Sequence, residues 1–128
     1  MRLAMTGAIV AAALAAAQEK KGGSMAQDPA TPPVYFVLCH SPGAKWDANR
    51  SFQEQPGIGE HVAYMAGLLK KGLIVMGGPF LDNSGGMMVS RFGTIEEARK
   101  AADDDPGVKA GLLNVVVRPW MVPMSSVK

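Results

Sequence analysis

Apolar residues fall in short runs along this chain, and the runs alternate with segments of helical period. Four runs are apolar at both odd and even positions, a pattern typical of strands that are buried on both faces of a sheet. The runs VYFVLC, LIVM, MMVSRF and LLNVVV predict strands over residues 34–39, 73–76, 87–92 and 112–117.

A first helix is predicted between strands one and two. Pro56 suits its first turn, and Gly72 suits its end. Its apolar stripe consists of residues that recur at spacings of four, three and four: Ile58, Val62, Met65 and Leu69. With this stripe, His61 lies about 60° from Ile58 and therefore at the edge of the apolar face.

A second helix is predicted after strand three. Thr94 and Glu97 have the spacing of a capping box, which marks a helix start. The helix runs to about Asp104, and the sequence Asp105-Pro106-Gly107 predicts the turn that ends it.

The order of these elements, βαββαβ, is that of the ferredoxin-like unit. It predicts an α+β fold with a four-stranded antiparallel sheet in the order 4-1-3-2 and both helices on one face. Because all four strands are apolar at both parities, the second face of the sheet also needs a cover. A second copy of the chain, packed sheet to sheet, is the simplest cover, so we predict a homodimer.

This topology brings polar residues to one end of the sheet. They are His61 at the start of helix one, Asp82 in the turn after strand two and Asp105 at the end of helix two. The polar connection over residues 41–56 ends there too, and a connection of that length is usually functional. We therefore predict a site at this end. The aromatic residues of the connection, Trp46 and Phe52, either cover this site or pin the connection to the body of the domain.

Histidine is the side chain that gains and loses a proton near neutral pH, so His61 is the candidate general acid/base. A carboxylate would fix its tautomer, and Asp105 and Asp82 are both candidates for that partner. Both are also ordinary turn residues. His40 and Asp47, at the entrance to the long connection, are weaker candidates.

Other kinds of site find little support in the sequence. The histidines have no HxH or HxxxH spacing, and the single cysteine, Cys39, allows neither an intrachain disulfide nor a cysteine zinc site. We expect Cys39 to be buried. No dinucleotide, P-loop or nucleophile-elbow motif is present, so we expect no metal and no cofactor. A net charge of +2 gives no basic face for nucleic acid.

The N-terminus has the pattern of a secretory signal peptide, with Arg2 before an uncharged, Ala-rich run too short to span a membrane. We expect a periplasmic or secreted mature protein with no membrane segment. If translation starts at Met25 instead, the protein is cytoplasmic. The predicted organisation is a signal peptide (1–17), a disordered polar linker (18–33), a folded domain (34–122) and a C-terminal tail (123–128).

The segments EHVAYMAGLLKKG, GGPFLDNSGGMMV and TIEEARKAADDDP and the final RPW resemble the YCII-related domain family over residues 34–120. The resemblance implies a dimeric ferredoxin-like α/β barrel, related in shape to muconolactone-isomerase-type proteins. It also implies a catalytic His and Asp, which match His61 and Asp105. Ile58 stands where many members have an arginine, and Gly107 where many have an aromatic residue. Arg50 or Arg118 would have to replace that arginine.

Together these observations predict a cofactor-independent, lyase- or isomerase-like enzyme for a small organic molecule. His61 is its acid/base, and Asp105 or Asp82 is the partner. The alternative is a non-catalytic dimeric protein that binds a small apolar ligand or serves in a stress response.

Overall fold

A computed structural model describes residues 31–127 of the chain. These residues form four strands, three α-helices and a 3-10 turn: β1 (Val34–Pro42), the 3-10 turn (Phe52–Glu54), α1 (Ile58–Lys70), β2 (Ile74–Pro79), β3 (Gly86–Ser90), α2 (Ile95–Asp103), α3 (Pro106–Lys109) and β4 (Leu113–Met121). The predicted signal peptide over residues 1–17, and the predicted linker up to residue 30, lie outside the described part. Within it, no helix has the length and apolar character that crossing a membrane requires.

The strands form one antiparallel sheet in the order β2-β3-β1-β4. This is the predicted order read from the opposite edge, and it confirms the ferredoxin-like α+β fold. β1 and β4 extend several residues beyond the apolar runs because their pairing continues through polar positions such as Ser41 opposite Asn114. This extension brings the end of β1, with His40, to the polar end of the sheet.

The main core lies between the sheet and the two longer helices. Leu38 on β1 is fully buried, and Met65 of α1 packs in the same cluster. α2 contributes Ala98 and Ala102, which are one helical turn apart and buried. Their small side chains let the helix approach the sheet closely, and Thr94 caps the helix start by accepting a hydrogen bond from the Glu97 N–H at 3.2 Å.

α1 is rotated relative to the predicted orientation. Its buried residues are Ile58, His61, Met65 and Leu68. Val62 and Leu69, which were predicted to face the core, are 49% and 53% exposed. At 100° per residue the buried face is therefore displaced by about 50°, and His61 lies inside it rather than at its edge. The prediction counted histidine as a polar residue and therefore placed His61 outside the buried face. His61 can be buried because its polar partner comes from elsewhere in the chain.

The sheet face opposite the helices is open in the single chain. Its exposed apolar side chains include Met87, Val116 and Trp120. Cys39, which was expected to be buried, lies on this face and is half-buried, because strand neighbours of Leu38 point to the opposite side. The apolar character of both sheet faces is thus as predicted, and the dimer that would cover the open face stays a prediction.

The long connection after β1 is a loop held in one conformation by hydrogen bonds from the Gln55 side chain. This side chain is 2% exposed. Its amide donates to the carbonyls of Asp47 at 2.7 Å and Arg50 at 3.0 Å, and its oxygen accepts from the Asp47 N–H at 2.9 Å. The loop therefore has a fixed shape, which sets the position of Phe52 next to α1.

Candidate active site

His61 forms a buried pair with Asp105. The Nδ1 atom of His61 lies 2.6 Å from Oδ2 of Asp105, and the two residues are 2% and 0% exposed. A hydrogen bond this short between an imidazole and a carboxylate is strong because at least one partner is ionised. The pair was one of the two partnerships that the sequence left open, and the structure brings these two residues together.

Asp105 is held in place by the start of α3. α2 ends at Asp103, as predicted, and Asp105 in the turn that follows is also the N-cap of the four-residue helix α3, with Pro106 at its first position. Oδ1 of Asp105 accepts a hydrogen bond from the Gly107 N–H at 2.9 Å. Its other oxygen, Oδ2, is therefore left for His61. Local cap chemistry thus fixes the orientation of the carboxylate before His61 contributes anything.

Gly107 allows α1 and α3 to approach each other. A Cβ atom at this position would lie 3.0 Å from Cβ of His61 and 3.4 Å from Oδ1 of Asp105. The 3.0 Å approach to His61 is tighter than an ordinary van der Waals contact, so a side chain at this position would require α1 and α3 to shift apart. The glycine is therefore part of what keeps the His61–Asp105 distance short.

His40 is a third member of the cluster. Its Nε2 atom lies 3.4 Å from Oδ2 of Asp105, and its ring meets the His61 ring edge-on with centroids 5.0 Å apart. His40 was only a weaker candidate in the sequence analysis, but its position on the first strand already indicated which face it occupies. Residues two apart on a strand share a face, so His40 had to lie on the same side as Leu38, toward the helices.

The environment of Asp105 favours its ionised form. Burial alone would raise the pKa of its carboxyl group. The contacts with His40 and His61 and the Gly107 N–H outweigh burial and lower the pKa from 3.8 to about 2. The contact with His40 is 3.4 Å long, which is longer than a well-formed hydrogen bond. The carboxylate therefore stays charged throughout the pH range in which histidines exchange protons.

Asp82 has a local role instead. It is exposed at the tip of the β2–β3 turn, and its carboxylate accepts hydrogen bonds from the hydroxyl and the N–H of Ser84, the latter at 3.0 Å. These bonds hold the pKa of Asp82 below 3.8. Asp47 pairs with Arg50 at 3.1 Å. The ends of the turn do reach the site, since Gly78 and Gly86 line its cavity, but Asp82 does not join the cluster.

The imidazoles face a small inner cavity, and a larger depression lies outside it. The inner cavity measures about 10 Å³, room for about one water, and is lined by His40, His61 and Phe52. The outer depression measures about 390 Å³ and is formed by residues 48–53 with residues from the β2–β3 turn. Phe52 and Pro79 line both. The Phe52 ring, edge-on to His61 at 6.3 Å, therefore stands between the depression and the imidazoles.

Comparison with models of protein families matches residues 35–121 to the YCII-related domain. The chain belongs to this family. No curated protein matches the chain. The match spans β1 to β4, so the resemblance drawn from short segments of the sequence is confirmed over the whole sheet of this YCII-related domain.

The position at which the resemblance led us to expect an arginine is apolar in this YCII-related domain. Ile58 is 7% exposed and packs with Leu112 and Leu113 in a second core cluster. Of the two arginines considered as replacements, Arg50 lines the outer depression, whereas Arg118 lies on the open sheet face. Of the two, Arg50 is therefore the one that lies beside Phe52 at the outer depression, where it also pairs with Asp47.

The same three side chains also form a set of metal donors. One donor atom each from His40, His61 and Asp105 lies within 4.8 Å of the others. Sequence spacing gave no sign of this set, because the three residues come from three separate elements. Ligands at about 2.0–2.1 Å from a tetrahedral ion stand about 3.3 Å apart. The 2.6 Å separation of Nδ1 and Oδ2 fits a shared proton and would have to widen for a metal.

Proposed function

We propose that this YCII-related protein is a small acid–base enzyme of lyase or isomerase type that works without a cofactor. The observation that carries the proposal is the buried 2.6 Å contact between His61 and Asp105, next to a cavity that both imidazoles line. Outside active sites, a short, fully buried imidazole–carboxylate pair at a cavity wall is uncommon, because burial of ionisable groups is costly.

In the proposed mechanism, each residue of the pair has its own role. Asp105 accepts from Nδ1 of His61, so the lone pair of His61 is on Nε2. This nitrogen takes a proton from an acidic carbon or hydroxyl of the substrate, whose bonding electrons stay on the substrate as an enolate or alkoxide. In an isomerisation the proton returns to another carbon, and in an elimination it leaves with the departing group. Asp105 stays ionised and stabilises the imidazolium that forms in between.

The outer depression is the proposed entry for the substrate. Its lining mixes apolar side chains such as Phe80 and Leu81 with the polar loop that carries Arg50. This surface suits a small organic molecule that carries a carboxylate or another anionic group. Because the inner cavity has room for about one water, the reacting atoms reach His61 only when the Phe52 ring moves aside.

The test is a turnover screen with hydroxymuconate- and lactone-type compounds. We expect His61→Gln and Asp105→Asn each to lower kcat/KM by about 100-fold or more on any accepted substrate. Asp82→Asn is the matched control and leaves the rate unchanged, since its carboxylate serves its own turn. Equal turnover by wild type and His61→Gln would refute the catalytic role.

The second candidate function is binding of a small apolar ligand without chemistry. It is favoured by the depression of about 270 Å³ on the open sheet face, where Val37, Met87 and Trp120 offer an apolar lining. In the proposed dimer, a ligand there would be enclosed between the two sheets. Native mass spectrometry distinguishes the two functions. A retained ligand that leaves chemically unaltered, and whose retention does not depend on His61, supports binding alone.

The proposed assembly is a homodimer joined through the open sheet face. A patch with exposed Val116, Met87 and Trp120 on one side of a small domain is typical of a subunit interface. The site lies at one end of the sheet, so a partner on this face would leave access from the outer depression free.

A further inference from the structure

Both imidazoles of the chain converge on one carboxylate oxygen. Oδ2 of Asp105 is 2.6 Å from Nδ1 of His61 and 3.4 Å from Nε2 of His40. The other oxygen, Oδ1, is already bound to the Gly107 N–H at 2.9 Å. The proposed acid–base chemistry uses only His61 and Asp105, so the position of His40 needs its own explanation.

The Nε2 atom of His40 is buried and has no hydrogen-bond partner among residues 31–127. The residue is 5% exposed, so solvent satisfies this atom poorly. If Nε2 carried a lone pair, two electron-rich atoms would face each other at 3.4 Å in a buried site, which is unfavourable. If Nε2 carries the proton, a positive N–H end faces the carboxylate, and a small approach completes the hydrogen bond.

We propose that His40 is a positioning residue that donates its Nε2 proton toward Asp105 and thereby holds the carboxylate for His61. His40 is then the Nε2–H tautomer, and His61 is the Nδ1–H tautomer with Nε2 as its basic atom. Oδ2 receives N–H groups from two sides, which prevents the carboxylate from rotating away from either. The catalytic significance of His40 rests on the proposed function, whereas the pair of tautomers does not.

The number of histidines makes this directly measurable. The whole chain has 2 histidines, so the long-range ¹H–¹⁵N spectrum of the full-length protein labelled with ¹⁵N-histidine contains only these two imidazoles. His40→Gln and His61→Gln assign them. At neutral pH we expect protonation at Nε2 of His40 and at Nδ1 of His61. A wild-type spectrum with His40 protonated at Nδ1 alone overturns the proposal without any variant.

Two substitutions of His40 separate positioning from packing. Leucine at position 40 fills space but donates no hydrogen bond, so we expect His61 to show a mixture of both tautomers in His40→Leu. Glutamine can donate from its amide to Oδ2, so we expect His40→Gln to keep the Nδ1–H form of His61. If His61 keeps one tautomer in the leucine variant, the proposal is wrong. If that variant fails to fold, the wild-type and glutamine spectra still decide.

Turnover and metal content complete the test. With an accepted substrate, we expect His40→Leu to lower kcat about 10-fold with little change in KM, and glutamine to restore most of the loss. If no substrate is ever turned over but both tautomers are as stated, the proposed function fails and this inference stands. A stoichiometric divalent metal in the purified protein, lost in His40→Leu, would instead make the cluster a metal site and overturn the inference.

Discussion

At the scale of single residues, Asp105 links stability to the site. One of its oxygens caps α3 and the other meets His61, and both bonds favour the ionised form. The sequence allowed Asp105 to be named as a candidate, but its bonds depend on a helix start that looked like a plain turn. His40 was undervalued for a related reason. Its proposed role depends on which face of β1 it occupies and on a carboxylate that lies 65 residues later in the chain.

The lowered pKa of Asp105 predicts an acid-dependent loss of stability. Because the folded-state pKa is about 2 and the ordinary value is 3.8, the contribution is fully present above about pH 4 and is lost as the pH falls through about 2. The shift corresponds to about 2 kcal/mol. We expect Asp105→Asn, which keeps a good N-cap, to remove this part of the pH dependence of the free energy of unfolding.

Urea unfolding at a series of pH values between 2 and 6 measures the effect. Asp104→Asn is the control, because that neighbouring carboxylate is partly exposed and pairs with Lys100 at the surface. Equal pH dependence in both variants would contradict the prediction.

At the scale of elements, patterns predicted which helices and strands form better than they predicted their orientation. The apolar period located α1, yet two sets of residues fit that period, and the choice between them depended on Asp105. α3 was missed because four residues carry no period. The aromatic residues of the loop after β1 were expected either to cover the site or to pin the loop to the body. Phe52 lines the inner cavity, and both Trp46 and Phe52 pack against the second core cluster. The loop has a fixed shape because the Gln55 side chain makes three hydrogen bonds to the backbone. No local sequence pattern predicts these bonds.

The Phe52 ring is predicted to shield His61. Removing it in Phe52→Ala joins the inner cavity to the outer depression, so His61 becomes accessible to reagents. We expect the rate of His61 modification by diethyl pyrocarbonate to rise at least several-fold, as measured by mass spectrometry of peptides. Phe80→Ala is the matched control, because Phe80 lines the outer depression and not the inner cavity. The prediction fails if the two variants react alike.

At the scale of the whole molecule, the topology was the most useful basis for prediction. The element order gave the strand order, and the strand order named the end of the sheet where His61 and Asp105 meet. The topology could not predict how deeply each side chain is buried. Burial is what distinguishes Asp105 from Asp82, which lie at the same end of the sheet. The apolar open face, in turn, follows from strands that are apolar at both parities.

The proposed dimer predicts a specific response to charge on that face. Val116 is 62% exposed and central in β4, so Val116→Asp would bury a charge in the interface. We expect light scattering to give a dimer for the wild type and a loss of dimer, with a lower Tm, for the variant. Leu81→Asp, at the fully exposed turn, should change neither. A monomeric wild type would rule out the interface.

The double use of Asp105 has a consequence for how such a chain changes over generations. Residues that serve only chemistry are often costly to the fold, and losing them raises stability. Here, losing Asp105 would remove the N-cap of α3 and leave two buried imidazoles without their carboxylate partner. Its loss would therefore not raise stability. Position 61 belongs to the buried stripe of α1, but an apolar residue there would leave Oδ2 of the buried Asp105 without its 2.6 Å partner. A descendant without the proposed activity is therefore expected to keep both residues or to replace both.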